Sequence, residues 1–188
     1  MNTAGMISDQ SAYNPYSDLP NFSYNIISHL MGANEDFWRL IYYNDPDAWN
    51  VNVDANLTAS QKASLIFNGT DDETKFRIFL DEGQVSAWLV EATIVRIFPY
   101  SIFSENRTVG TLTMAFDVFS HYRINTLSNY TTRIDTLSQI ILQTFNGFYI
   151  GGLGKLTVDV LSNKQDRLYP SGQIPFKGKR ITMSTKMG

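Results

Sequence analysis

The sequence predicts an α+β fold: an antiparallel or mixed β-sheet with helices packed on it, and a helical N-terminal part. Three observations carry this. Apolar residues recur at helical spacing before residue 70 and again between Thr131 and Phe145. From Lys75 the period switches to two, and it does so again from Leu156 and from Ile181. Helices come in a run and strands in a run, which indicates α+β rather than a strict βαβ alternation. A chain of 188 residues has the length of one domain with a real core. We divide it into an extended N-terminal arm, residues 1–20, and a single α+β domain, residues 21–188.

The arm is rich in Asn, Ser, Asp and Tyr, holds Pro15 and Pro20, and shows no periodicity. Tyr13 and Tyr16 flank Pro15, and aromatic rings gain from burial, so the arm is expected to dock on a neighbour and to be ordered only in an assembly. After Pro20, Ile26, Ile27, Leu30 and Met31 mark a helix that Gly32 ends. Asn34 caps a second helix carrying Phe37, Leu40 and Ile41, with Glu35 and Asp36 in its first turn. Residues 44–57 are a polar loop. Thr58 and Gln61 form a capping-box signature for a helix through Phe67, stopped by Asn68-Gly69.

Phe76, Ile78 and Leu80 alternate with Lys75, Arg77 and Phe79 as a half-buried strand. A longer apolar strand is expected from Ala87 to Tyr100, ended by Pro99, and residues 104–108 form a turn. Next, Leu112, Met114, Phe116 and Val118 face one way, and Thr111, Thr113, Ala115 and Asp117 the other. Two long strands joined by a short polar loop predict an antiparallel hairpin. The helix from about Thr131 to Phe145 places Ile134, Leu137 and Ile141 on one stripe, which should lie on that sheet. Leu156, Val158 and Val160 alternate with Lys155, Thr157 and Asp159. Residues 162–179 form a polar loop, and Ile181, Met183 and Thr185 alternate with Arg180, Thr182 and Ser184 as a closing strand.

Function classes narrow by composition. The net charge is −3 with no basic run, which argues against a dedicated nucleic-acid binder or a polybasic membrane anchor. Zero cysteines exclude disulfides, thiolate zinc sites and a cysteine nucleophile. The first ten residues lack the basic and apolar regions of a signal peptide, and no apolar run approaches the roughly 20 residues of a membrane span. The expectation is a soluble protein made in the cytosol. Aromatics reach 13%, which reads either as an aromatic-rich core or as extensive contact surface.

Candidate chemistry is sparse. Gly151-Gly152-Leu153-Gly154-Lys155 superficially resembles a phosphate loop, but the Walker spacing would need glycine at Tyr149 and Ser or Thr at Leu156. The segment also leads from helix to strand, the reverse of a phosphate loop. We read Gly151, Gly152 and Gly154 as a structural turn in which at least one glycine has positive φ. His29 and His121 lack ligand partners at metal spacing, and Asp71, Asp72 and Glu73 lack EF-hand spacing and read as a solvated acidic turn. No catalytic, cofactor or metal residue is assigned, and the chain is not expected to be an enzyme.

From about residue 75 onward the chain resembles the ring-forming neck proteins of tailed bacteriophages, the tail-terminator, tail-completion and head–tail connector group. The resemblance rests on Phe76-Arg77-Ile78-Phe79, Thr93 to Pro99, Phe116 to His121, the Arg133 to Asn146 helix, Gly151 to Leu156, and Met183-Ser184-Thr185-Lys186. It implies a tail-terminator-like fold and a structural virion protein forming a ring in the phage neck. Such a ring caps or joins the tail and lets DNA pass, with transient non-specific DNA contact. Its partners would be further copies, six or twelve in a ring, and neighbouring neck, portal-side or tail proteins. Tyr13, Tyr16, Tyr169 and Pro170 are the expected oligomer contacts, on the arm and on the 162–179 loop. Two other classes stay open: a monomeric binding module using that loop, and an enzyme with a sparse carboxylate site around Asp117 and Asp159.

Overall fold

The computed structural model describes residues 19–32, 34–50, 55–69, 72–82, 90–105, 109–150, 154–158, 167–168 and 175–187. Helix α1, Leu19–Met31, is followed by α2, Glu35–Tyr42, and α3, Ala59–Ser64. The expected caps are present. Asn34 Oδ1 accepts from the Asp36 N–H at 2.8 Å, and Thr58 and Gln61 bond reciprocally as a capping box. Leu19 and Pro20 already belong to α1, so the helix takes the last two residues assigned to the arm. Proline is tolerated in the first turn because its missing N–H has no intrahelical partner to lose.

Strand β1 is Ile78–Phe79, β2 is Thr93–Ser104 and β3 is Gly110–His121. Helix α4 spans Arg133–Phe145. After it come the short strands β4, Tyr149–Ile150, β5, Gly154–Lys155, β6, Thr157–Val158, and β7, Arg167–Leu168, and then the long β8, Phe176–Met187. The six-stranded sheet runs β1-β2-β3-β8-β6, with β7 also on β8; β4 and β5 form a separate two-stranded ribbon. Among the described strand pairs of this sheet β1–β2 is parallel and the others antiparallel, so the sheet is mixed and the fold is α+β.

The predicted inward face of β3 is correct: Leu112, Met114, Phe116 and Val118 are all fully buried. They pack with Val95 and Ile97 of β2, Ile181 and Met183 of β8, and Ile134, Leu137 and Ile141 of α4 into the main core. The Phe116 and Phe145 rings meet at 5.0 Å. A smaller cluster of Phe76, Phe79, Ala92, Ile94, Phe119 and Phe176 covers one end of the opposite face.

Several boundaries differ from the sequence reading. The helix from Thr58 ends at Ser64 rather than Phe67, because the next residues pair with β1: Arg77 and Ile78 N–H groups donate to Leu65 O, and Phe67 N–H donates to Ile78 O. The Lys75–Leu80 strand shrinks to two residues behind a 3-10 turn at Glu73–Lys75, and Phe79, expected on the open side, is buried in the second cluster. Pro99 does not end β2. The strand continues to Ser104, with a register shift between Pro99 and Ser101, since beyond Arg96 no described strand needs a donor on that side. The alternation from Leu156 is broken into β5 and β6 because Leu156 bonds to the α4 exit: its N–H donates to Phe148 O and its O accepts from Gly147 N–H. The loop expected over 162–179 yields Phe176–Lys179 to β8, where Gly178 pairs with both Phe119 and Leu168.

Arg133 ties the helical layer to this sheet. It is fully buried at the first turn of α4, behind its N-cap Thr132. Its Nε donates to Ile124 O at 3.0 Å, Nη1 to Leu40 O at 2.5 Å and Tyr43 O at 2.8 Å, and Nη2 to Asp45 O at 2.8 Å. Leu40 and Tyr43 lie at the C-terminal end of α2, where helix carbonyls lack intrahelical partners. Replacement Arg133→Met leaves the carbonyls of Ile124, Leu40, Tyr43 and Asp45 without this donor and should cost about 3 kcal/mol or more, at roughly 1–3 kcal/mol for each group left buried and unsatisfied; chemical denaturation measures it.

Gly154 fulfils the expectation of positive φ, at +87°, while Gly151 and Gly152 lie outside the described residues. A Cβ at Gly154 would sit 2.5 Å from Lys186 O and 2.9 Å from Thr185 Oγ1. Gly154→Val should therefore lose at least the roughly 1–3 kcal/mol of a strained backbone, with added cost from the clash against β8. A melting temperature equal to that of the parent would refute this reading of the turn.

Candidate interaction surface

The side of the sheet away from α4 is built by the alternate residues of β2, β3 and β8. Paired residues of an antiparallel ladder point to the same face, so Arg96, Asp117 and Arg180 form one row: Arg96 opposes Asp117, and Asp117 opposes Arg180. Asp117 is completely buried. Arg180 Nε reaches its Oδ1 at 2.6 Å and Nη2 its Oδ2 at 2.8 Å, a bidentate grip. Arg96 Nη2 reaches Oδ2 at 2.7 Å and its Nη1 donates to Glu82 O. Hydrogen bonding to Asp117 holds the Arg180 guanidinium above its ordinary pKa, against the opposing effect of burial. A raised value means the pair's contribution is complete below the unfolded pKa and is lost only as pH rises through the folded one, beyond the working range of proteins.

Aromatic rings frame this row. Arg180 lies 4.9 Å from the Tyr100 ring centroid and 5.5 Å from that of Phe98, and Arg96 lies 4.9 Å from that of Phe119. Further along, the face is hydroxylated: Thr113 and Ser184 bond at 3.0 Å, with Thr111 and Thr182 beside them only half-buried. At its far corner an open groove of about 560 Å3 is lined by Thr157, Ser184, Lys155, Lys186 and Tyr149, among others.

The end of β2 is the most exposed apolar element of the sheet. Beyond Arg96 its outer edge has no partner among the described strands, and Tyr100, Ile102 and Phe103 are 53%, 41% and 67% exposed. Phe103 shares a face with Thr111, whereas Ile102 pairs with Leu112 on the core side. An exposed, aromatic strand end of this kind is a template on which another chain can pack.

The sequence-predicted contact residues are not brought into this surface. Tyr13, Tyr16, Tyr169 and Pro170 lie outside the described residues, as does Asp159. Asp117, read from sequence as part of a solvent-facing polar row and a candidate carboxylate, is instead sealed between two arginines. Its strand pairs with β2 and β8, and both neighbours carry a guanidinium at the opposing position. Sequence reasoning missed Arg96, Arg180 and the Tyr100–Phe103 edge; only the pairing register identifies them.

The histidines are occupied. His29 Nε2 bonds Thr144 O at 3.1 Å and its ring stacks on Phe148 at 3.5 Å, while buried His121 accepts the Arg123 N–H on Nδ1 at 3.3 Å. Asp72 caps the 3-10 turn, and the Thr74 N–H holds its carboxyl below the usual range. Among the described residues no group of three or more His, Cys, Asp or Glu is arranged to hold a metal, and no helix is long and apolar enough to cross a membrane.

The sequence profile of one family, YomW, matches residues 34–185, most of the chain. The chain belongs to the YomW family. The YomW name is that of a phage-derived protein of SPβ-like prophage, which marks this chain as phage-related. No curated protein matches it significantly. The YomW match takes in α2 through β8 up to Thr185, and therefore the whole Arg96–Asp117–Arg180 row.

Asp117→Asn keeps the shape of the carboxylate but removes its charge from between two partly desolvated arginines. It should destabilise the fold by about 2–4 kcal/mol, somewhat below a fully buried pair because both arginines keep some solvent contact. Urea titration at neutral pH checks this; a loss under about 0.5 kcal/mol, the range of ordinary surface changes, would contradict it.

Proposed function

We propose that the protein is a structural, non-catalytic subunit of a phage particle that closes into a ring in the neck, at the head–tail junction. There the ring caps or joins the tail and lets DNA pass. The observation that carries this reading is the end of β2, which beyond Arg96 meets no described strand on its outer edge and exposes Tyr100, Ile102 and Phe103. Where a strand edge docks on a different surface of the next copy the contact is head-to-tail, and it closes into a ring when the rotation between copies is an integral fraction of a full turn; self-pairing of the edge would give a two-fold dimer instead. Rings of six or twelve copies fit this arrangement. The phage-related family and the resemblance of the strand and helix order to neck proteins support the placement. The burial of Asp117 between two arginines weighs against the carboxylate-enzyme alternative.

DNA in such a ring is held weakly and without sequence preference, because the chain offers no basic cluster to neutralise many phosphates. Neighbouring neck, portal-side or tail proteins are the other partners. Co-expression with those neighbours, followed by electron microscopy of the particles, should show a ring of this protein. Phe103→Glu, at a site 67% exposed, should leave the melting temperature nearly unchanged while abolishing incorporation. A single copy per particle, or normal assembly of Phe103→Glu, would overturn the proposal.

A further inference from the structure

Arg77 is a half-buried cation that forms no ion pair with any acid among the described residues. Its backbone is pinned between two elements: its N–H donates to Leu65 O at 2.8 Å, and its O accepts from Val95 N–H at 2.8 Å. The side chain folds back so that Nη1 donates to both Thr74 O at 2.7 Å and Phe76 O at 2.8 Å. Those two bonds use both Nη1 hydrogens. The Nε–H and Nη2 groups remain as a side-on fork, the geometry that receives two oxygens of one anion.

No carboxylate among the described residues forms an ion pair with Arg77. Burial alone displaces its guanidinium, downward from the ordinary value, with no acid opposing it. The cavity it lines has a volume of about 430 Å3 and also presents Lys75, Asn68 and Ser64, with Leu65 and Phe76 as apolar walls. Lys75 is shared with Asp72, whose carboxyl feels its charge, but among the described residues no acidic side chain lines the cavity itself. Partly desolvating a cation without a counter-charge is unfavourable, so the arrangement is explained if the counter-charge comes from a ligand.

We propose that this cavity is an oxyanion site that takes a phosphoryl group, with the Arg77 fork on two of its oxygens and Lys75 on a third. The Ser64 hydroxyl already donates to Gln61 O at 2.8 Å, so the two cations carry the recognition, and their combined charge suits a doubly charged anion better than a carboxylate. A phosphoryl group has three or more acceptor oxygens and up to two negative charges. The group comes either from a free or terminal phosphate or from a nucleic-acid backbone. The site does not depend on ring formation, since all its residues belong to one subunit.

The test is a titration of the 15N-labelled full chain with inorganic phosphate at constant ionic strength, and in parallel with a short DNA duplex. Saturable shifts confined to the amides of residues 64–68 and 75–78 are expected with phosphate. Arg77→Gln should weaken binding about tenfold or more, as for loss of a charged bidentate contact, and Lys75→Gln by a smaller factor. Arg77→Lys, which keeps the charge and removes the fork, should also weaken binding and serves if Arg77→Gln fails to fold. Duplex binding at the same amides assigns the backbone as the source, and phosphate binding alone assigns a free or terminal group. Shifts that never saturate or that spread over the surface overturn the site, as does phosphate affinity unchanged in both Arg77 variants.

Discussion

The guanidinium of Arg133 sets the spacing between the helical layer and the sheet. It is buried at the start of α4, yet its donors reach the end of α2, the turn at Asp45 and the Ile124 carbonyl just after β3. A planar cation with five donors can satisfy several carbonyls at once in a way that lysine or a neutral side chain cannot. The carbonyls at a helix end would otherwise be buried without partners. Because α4 is held in place there, its Ile134, Leu137, Ile141 and Phe145 stripe falls on Phe116 and its neighbours, and the main core closes.

The same division of labour governs the sheet. Its inner face is apolar and close-packed, and its outer face is held by charge. Asp117 sits where three long strands cross in register, and each neighbouring strand contributes one arginine to it. Such a row fixes the alignment of β2 on β3 and of β3 on β8, because a slip of one residue would send the arginines to the core face. Beyond the second aromatic cluster the outer face carries this charged row and the half-buried hydroxyls of Thr111, Thr113, Thr182 and Ser184. That leaves the Tyr100–Phe103 edge as the part of the sheet that neither core covers.

Two features of the fold bear on how such a subunit meets others. At the end of the β2–β3 hairpin Tyr100, Ile102 and Phe103 are exposed, while Leu112, paired with Ile102, still belongs to the main core. Natural sheets blunt their edges with charge, proline or bulges. Here Pro99 and the adjoining register shift mark where the covered part of β2 gives way to the exposed part, and aromatic residues follow rather than lysines. An edge so composed is consistent with a surface used in assembly.

Local chemistry was legible in the sequence wherever it is decided by neighbours a few residues apart. The caps at Asn34 and Thr58, the helix at Arg133–Phe145, the inward row Leu112, Met114, Phe116 and Val118, and the need for a positive φ at one of the turn glycines all follow from periodicity, capping or steric rules. What sequence could not decide depends on partners far along the chain. Asp117 alternates with threonines and reads as solvent-facing until Arg96 and Arg180 are placed opposite it, 21 and 63 residues away. Pro99 reads as a strand end until β2 proves to continue past it to Ser104 with a register shift, and with no described strand on its other side beyond Arg96. Gly178 reads as loop until β3 and β7 pair with it. Periodicity fixes which way a side chain points relative to its neighbours; only the three-dimensional register decides what it points at, because the groups that neutralise or cover it come from other strands.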